Sequence, residues 1–204
     1  MPKNNEPLVD IRKYCPGIKI SLDKYRRKKE KTAYVRLTIA KKVNQAQKLL
    51  PKGYHFMIRD AWRSVAVQKK IHQNFIALFK GKYPRWPQTK IVREVNKFVA
   101  PWQGKMASGH LTGGAVDIRI VDARGRCLPM NYRQISYHDN ASPKSQNLPT
   151  YIRKNRELLF RVLSRVDFHN NPREYWHWSW GDYYWAKNKK KKIIYKIIWP
   201  EKSR

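Results

Sequence analysis

Two short stretches of this 204-residue chain gather side chains able to do chemistry. Ser108-Gly109-His110-Leu111-Thr112-Gly113-Gly114-Ala115-Val116-Asp117 offers an imidazole and a carboxylate, and Glu174-Tyr175-Trp176-His177-Trp178 offers another of each. His110, Asp117 and His177 make a two-histidine, one-carboxylate set that suits one Zn²⁺ per chain and leaves a fourth position open for water. Such an ion brings the pKa of water towards ~7 and polarises a carbonyl. A base must still take the proton, and Glu174, three residues before His177, is the candidate. Taken singly, each residue has a plainer reading: a half-buried histidine on a strand, an aspartate ion-paired with Arg119, tryptophans packed in a core. The joint pattern singles them out.

The elements that must position these groups follow from periodicity. Ala115 to Val121 alternates like a strand, with Val116, Ile118 and Ile120 on one side and Ala115, Asp117 and Arg119 on the other. Tyr175 to Trp180 reads as a second strand, with Trp176, Trp178 and Trp180 towards a core and Tyr175, His177 and Ser179 facing away. If the two pair antiparallel, Asp117 and His177 lie side by side. Gly113 and Gly114 let the chain fold back tightly enough to bring His110 to Asp117.

Helical spacing marks Tyr34 to Leu50, a helix capped by Ser64 with Val67, Ile71, Phe75 and Leu78 on one face, a shorter one capped by Thr89, and a last one from Ile152 to Val166. Pro7 to Ile11 and Tyr54 to Ile58 read as extended, residues 101–114 and 131–149 as loops, and Ile193 to Trp199 as a final strand. Lys24 to Lys31 reads as a basic solvated loop. Helices early, strands mostly late and no βαβ alternation predict an α+β fold: helices packed on a small, mainly antiparallel sheet that carries the zinc site.

Length allows one domain, and 41% hydrophobic residues with 13% aromatics exclude a wholly disordered chain. No apolar run approaches the ~18–20 residues of a membrane span, and the first residues carry no signal-peptide stretch, so a cytoplasmic protein is expected. Cys15 and Cys127 are too few and too far apart for a disulfide framework. Lys and Arg number 45 against 14 Asp and Glu, a net charge of +31 that attracts polyanions.

Ser-x-His-x-x-Gly-x-Ala-x-Asp followed by Glu-x-Trp-His resembles the zinc D-Ala-D-Ala metallopeptidases, and specifically the D-alanyl-D-alanine dipeptidases of the vancomycin-resistance type. The resemblance extends to Pro7-Leu8-Val9-Asp10-Ile11, Ile58-Arg59-Asp60-Ala61-Trp62-Arg63-Ser64, Asn155-Arg156-Glu157-Leu158-Leu159 and Gly181-Asp182-Tyr183-Tyr184-Trp185-Ala186. It spans roughly residues 7–186 of a single domain over 1–204, leaving 187–204 as a basic extension. It implies zinc on His110, Asp117 and His177, Glu174 as base, Arg63 as oxyanion stabiliser and Ser108 as a shaper of the substrate pocket. The implied substrate is the D-Ala-D-Ala dipeptide or a peptidoglycan-derived peptide.

Two departures stand out. Ser64 replaces the proline expected after Arg63, and the segment after Pro129-Met130 lacks the acidic residue that would hold a dipeptide's ammonium. Asp139 is the nearest substitute. A peptidoglycan D,D-carboxypeptidase or endopeptidase is therefore the alternative within the family. A nucleic-acid or polyanion-binding module is the alternative outside it, favoured by charge and aromatics and opposed by the lack of any nucleic-acid motif.

Overall fold

The computed structural model describes residues 6–21 and 33–200. Leu8–Asp10 (β1), Lys19–Ile20 (β2) and Tyr34–Arg36 (β3) open the fold, with β1 and β3 paired antiparallel. Leu37–Gln47 (α1) follows β3 directly. His55–Asp60 (β4) comes next, then Val65–Lys82 (α2), Gln88–Val95 (α3) and Ala115–Val121 (β5). Tyr137–Ala141 (α4), Thr150–Arg165 (α5), His169–Asn171 (β6), Glu174–Ser179 (β7) and Tyr183–Lys189 (α6) complete it.

The main sheet runs β2-β4-β5-β7-β6. Its neighbours are antiparallel except at one edge, where β2 lies parallel to β4. The α+β expectation holds, and the sheet is mixed rather than wholly antiparallel. β3 and α1 supply the long crossover that a parallel pair needs.

The core is built as hydrophobic periodicity dictates. Ile39, Ala40, Val43 and Ala46 of α1 and Leu159, Val162 and Leu163 of α5 are buried with Ile58 of β4, Ile118 of β5 and Trp178 of β7. The alternating Val116, Ile118 and Ile120 are fully buried, so the opposite face of β5 is free to carry Asp117.

Several expectations need correction. Tyr34–Arg36 is a strand, and the helix begins only at Leu37. Ser64 does cap α2, accepting from Val67 N–H at 3.3 Å, but the buried face is Val65, Gln68 and His72, with Leu78 exposed. That face is held by polar bonds: Gln68 Nε2 donates to Ala100 O at 2.7 Å, and His72 Nε2 bonds Asn96 Oδ1, also at 2.7 Å. Pro87, not Thr89, stands at the cap of α3. The loops at 101–114 and 131–149 contain a 3₁₀ turn, Gly109–Thr112, and α4 respectively.

Among the described residues, Ile193 to Trp199 joins no sheet. Its backbone bonds go to Gly181 O from Ile194 and Tyr195 N–H, and to Leu111 O from Ile198 N–H. Tyr195 is buried beneath it. Lys24 to Lys31 falls outside the described residues. Both cysteines are free, and burial pushes the Cys15 thiol up to about 12.

Candidate metal centre

β5 and β7 pair in regular register, with Ala115, Val116 and Asp117 opposite Ser179, Trp178 and His177. Asp117 and His177 are thus cross-strand neighbours, and Asp117 Oδ1 lies 3.0 Å from His177 Nδ1. His110 reaches them from the 3₁₀ turn. Gly113 ends that turn at φ 72°, and a Cβ on Gly114 would meet Trp180 O at 2.7 Å, so the fold-back needs both glycines. Buried Arg36 braces the turn by donating from Nε to Thr112 O at 2.9 Å.

His110 Nδ1 donates to the carbonyl of Ala61 at 2.6 Å, which fixes the tautomer and presents Nε2 as a lone pair. That Nε2 lies 3.1 Å from His177 Nδ1 and 3.3 Å from Asp117 Oδ1. The three atoms form a triangle with sides of 3.0–3.3 Å. A tetrahedral zinc with bonds of ~2.0–2.2 Å sets its ligand atoms about 3.3–3.6 Å apart. The donors are of the right type and lie at or a few tenths of an ångström inside that spacing, so the residues fit the ion with a small outward adjustment.

The electrostatics agree. Asp117 is largely shielded from solvent, which alone would raise its pKa, yet the two imidazoles hold it well below the usual carboxylate range. Burial opposes protonation of His177, and the Asp117 carboxylate outweighs it and raises the pKa. Asp117 thus pairs with the histidines rather than with Arg119, whose guanidinium lies 6.0 Å from the Tyr175 ring centroid.

Arg63 is clamped beside this triangle. Its Nε donates to Asp60 Oδ2 at 2.7 Å and its Nη1 to Gln68 Oε1 at 2.8 Å, while Nη2 stands 3.9 Å from Asp117 Oδ2. Burial disfavours the cation, but Asp60 and Asp117 more than restore it and raise its pKa. The sequence reading missed Gln68, which sits five positions after Arg63 and reads there as an ordinary polar helix residue.

Glu174 begins β7. Burial raises its pKa, partly countered by the charge of His177. Strict alternation would place Glu174 and His177 on opposite faces, but β7 does not alternate. Tyr175 and Trp178 are both fully buried, so Tyr175 belongs to the core and not to the histidine face. The exception lies along β6, where Asn170 pairs with Trp178 and the next residue, Asn171, with Glu174. Tyr175, Trp176 and His177 are left as a bulge.

Ser108 is buried at the start of the 3₁₀ turn, where its carbonyl accepts from Leu111 N–H at 3.1 Å. Asp139 lies on α4, partly exposed, its carboxylate accepting from Ser136 Oγ at 2.9 Å. Tyr137, two residues before it, is exposed on α4, and its pKa is raised by partial burial and then by the charges of Glu174 and Asp117. Nothing in the sequence pattern singled Tyr137 out. Arg156, almost fully buried, holds the α4 segment down by donating to Met130 O at 2.9 Å and Ser142 O at 2.7 Å, and it stacks 4.0 Å from the Tyr175 ring centroid.

No family model matches the chain. Among characterised proteins it is similar to a D-alanyl-D-alanine dipeptidase of Synechocystis sp. (strain ATCC 27184 / PCC 6803 / Kazusa), 27% identical over 178 residues, covering 74% of this chain and 71% of the relative. Solved structures with a similar arrangement include a vancomycin-resistance D,D-pentapeptidase VanY variant in complex with Zn(II), with 13% identity, a TM-score of 0.49 and coverage of 88% of this chain and 82% of that one. Another is the LdcB LD-carboxypeptidase, with 19% identity, a TM-score of 0.49 and coverage of 95% and 78%. A sequence similarity running through most of both chains thus meets, in this fold, a His-Asp-His group whose ligand atoms are already gathered.

Proposed function

We propose that this protein is a zinc-dependent D-alanyl-D-alanine dipeptidase, a single domain over residues 1–204. The observation that carries the reading is the triangle of His110 Nε2, Asp117 Oδ1 and His177 Nδ1, with Glu174 and Arg63 beside it. Zinc held there supplies Lewis acidity, polarising the scissile carbonyl and making water acidic near neutral pH. Glu174 takes the proton of the attacking water and returns it to the departing amine. Its raised pKa keeps both steps accessible.

Arg63 stabilises the oxyanion that forms as the carbonyl becomes tetrahedral. Held by Asp60 and Gln68, its charge is already in place and needs no reorganisation when the negative charge develops. Ser108 shapes the pocket from the turn that carries His110.

Asp139 takes the dipeptide's ammonium in this reading. Its bond to Ser136 supports a second one, in which no carboxylate meets the amine and longer peptidoglycan peptides are cut at their D-Ala-D-Ala ends. The expected cytoplasmic location belongs to this proposal and is tested by cell fractionation. Among the described residues, no helix is long and apolar enough to cross a membrane.

The experiment is zinc analysis together with D-alanine release from D-Ala-D-Ala and from its N-acetylated form. One zinc per chain, rapid cleavage of the free dipeptide and no cleavage of the blocked one are expected. Faster cleavage of the blocked peptide would make this a carboxypeptidase, and no hydrolysis of either by the zinc-loaded protein would overturn the reading.

A further inference from the structure

The bulge in β7 raises a physical question: what holds three residues out of register beside a metal centre? A bulge strands backbone carbonyls that the ladder would otherwise pair, and buried carbonyls left unpaired are costly. Here one side chain gathers them. Asn170 Nδ2 lies 3.1 Å from Glu174 O, 3.1 Å from Tyr175 O and 3.0 Å from His177 O. The next residue continues the work on the base itself. Asn171 Oδ1 accepts from Arg173 N–H at 3.0 Å, which fixes the turn between the strands, and its Nδ2 donates to Glu174 Oε2 at 3.0 Å.

We propose that Asn171 is a positioning residue for Glu174, aiming the carboxylate through Nδ2 while Asn170 holds the bulge that turns Glu174 and His177 to the same face. The inference rests on the reading of Glu174 as the base. The physical need is plain: Glu174 is the first residue of its strand, beside a turn, and its side chain would otherwise sample several rotamers. A donor fixed at both ends of its own carboxamide removes that freedom and leaves Oε1 for the water.

The two bonds of Asn171 can be separated. Asn171→Asp keeps an oxygen for Arg173 N–H and so preserves the turn, but it removes the donor to Glu174. Outer-layer partners of this kind change activity on the order of 10- to 100-fold. In zinc-loaded protein with D-Ala-D-Ala as substrate, Asn171→Asp is expected to lower kcat by that factor with KM, zinc content and melting temperature held. In a Glu174→Ala background it should cause no further loss, because nothing remains to be aimed.

A second readout is independent of turnover. The Asn171 carboxamide protons should exchange slowly with solvent and shift when Glu174 is replaced by alanine, with Asn170 as internal reference. Wild-type kcat in Asn171→Asp, or Asn171 signals indifferent to Glu174→Ala, would overturn the proposal. An inactive wild type whose Asn171 signals do respond would instead support the contact and count against the dipeptidase reading.

Discussion

Strand β7 has two unlike edges. Towards β5 it keeps a regular ladder, and the ladder alone sets Asp117 against His177. Towards β6 it skips three residues, and side-chain amides replace the missing ladder. In the proposed function, the regular edge gathers the metal ligands and the irregular edge the proton acceptor. Backbone pairing suffices to place two ligands opposite each other, since cross-strand neighbours are already ~4.5–5.5 Å apart at Cβ. Bringing a third group from the same strand onto the same face requires breaking the period of two.

The strongest way to break this comparison is to remove a ligand. His110→Ala, Asp117→Ala and His177→Ala should each lose zinc and with it essentially all hydrolysis, read by metal analysis beside turnover, because three protein ligands are the minimum for an open catalytic site. Glu174→Ala, on the irregular edge, should separate the two functions of the strand. Its zinc content should match wild type while kcat falls roughly 10²–10⁴-fold. Loss of zinc in that variant would show both edges serving the metal.

Stability tests sharpen the contrast further. Asn170→Ala leaves the bulge carbonyls without their shared donor and should cost about 1–3 kcal/mol in denaturant melts. Ile118→Val, in the fully buried and regular part of the sheet, should cost about 0.5–1.5 kcal/mol with no change in kcat.

The smallest effect concerns the approach to β6. Asp167 bonds Lys189 at 3.2 Å and Lys191 at 3.3 Å. Its partial burial raises the pKa, but these lysines and Trp180 lower it overall. A depressed carboxylate stabilises the fold above its unfolded value near ~3.9 and loses that contribution as pH falls through the folded value. Asp167→Asn should therefore cost no more than ~1 kcal/mol at pH 7, and the gap to wild type should close in acid melts as pH falls through the lowered folded value.

The two edges also differ in how legible they are. Val116, Ile118 and Ile120 alternate cleanly, so the bounds of β5, its buried face and the placing of Asp117 beside His177 could all be read from residue types. The six residues of β7 looked equally regular because their aromatic residues are strand formers. The cause of the irregularity lies in Asn170 and Asn171, whose composition argues against any strand and whose β6 went unforeseen. α6 was missed too, although Asp182 caps it by accepting from Trp185 N–H at 2.8 Å, a signal present in the sequence. The segment Ile193 to Trp199 erred the other way. Its branched and aromatic residues favour a strand, but no sheet edge among the described residues receives it, and its N–H groups go to Gly181 and Leu111 instead.

That last segment ties the end of the described chain back to the turn that carries His110. Ile198 N–H closes on the carbonyl of Leu111, the residue after His110, and Tyr195 is buried beneath the same turn. During synthesis the ribosome releases His110 long before His177, and the strap that closes the His110 turn emerges later still. The turn that carries His110 is therefore closed by backbone made only after both strands of the site.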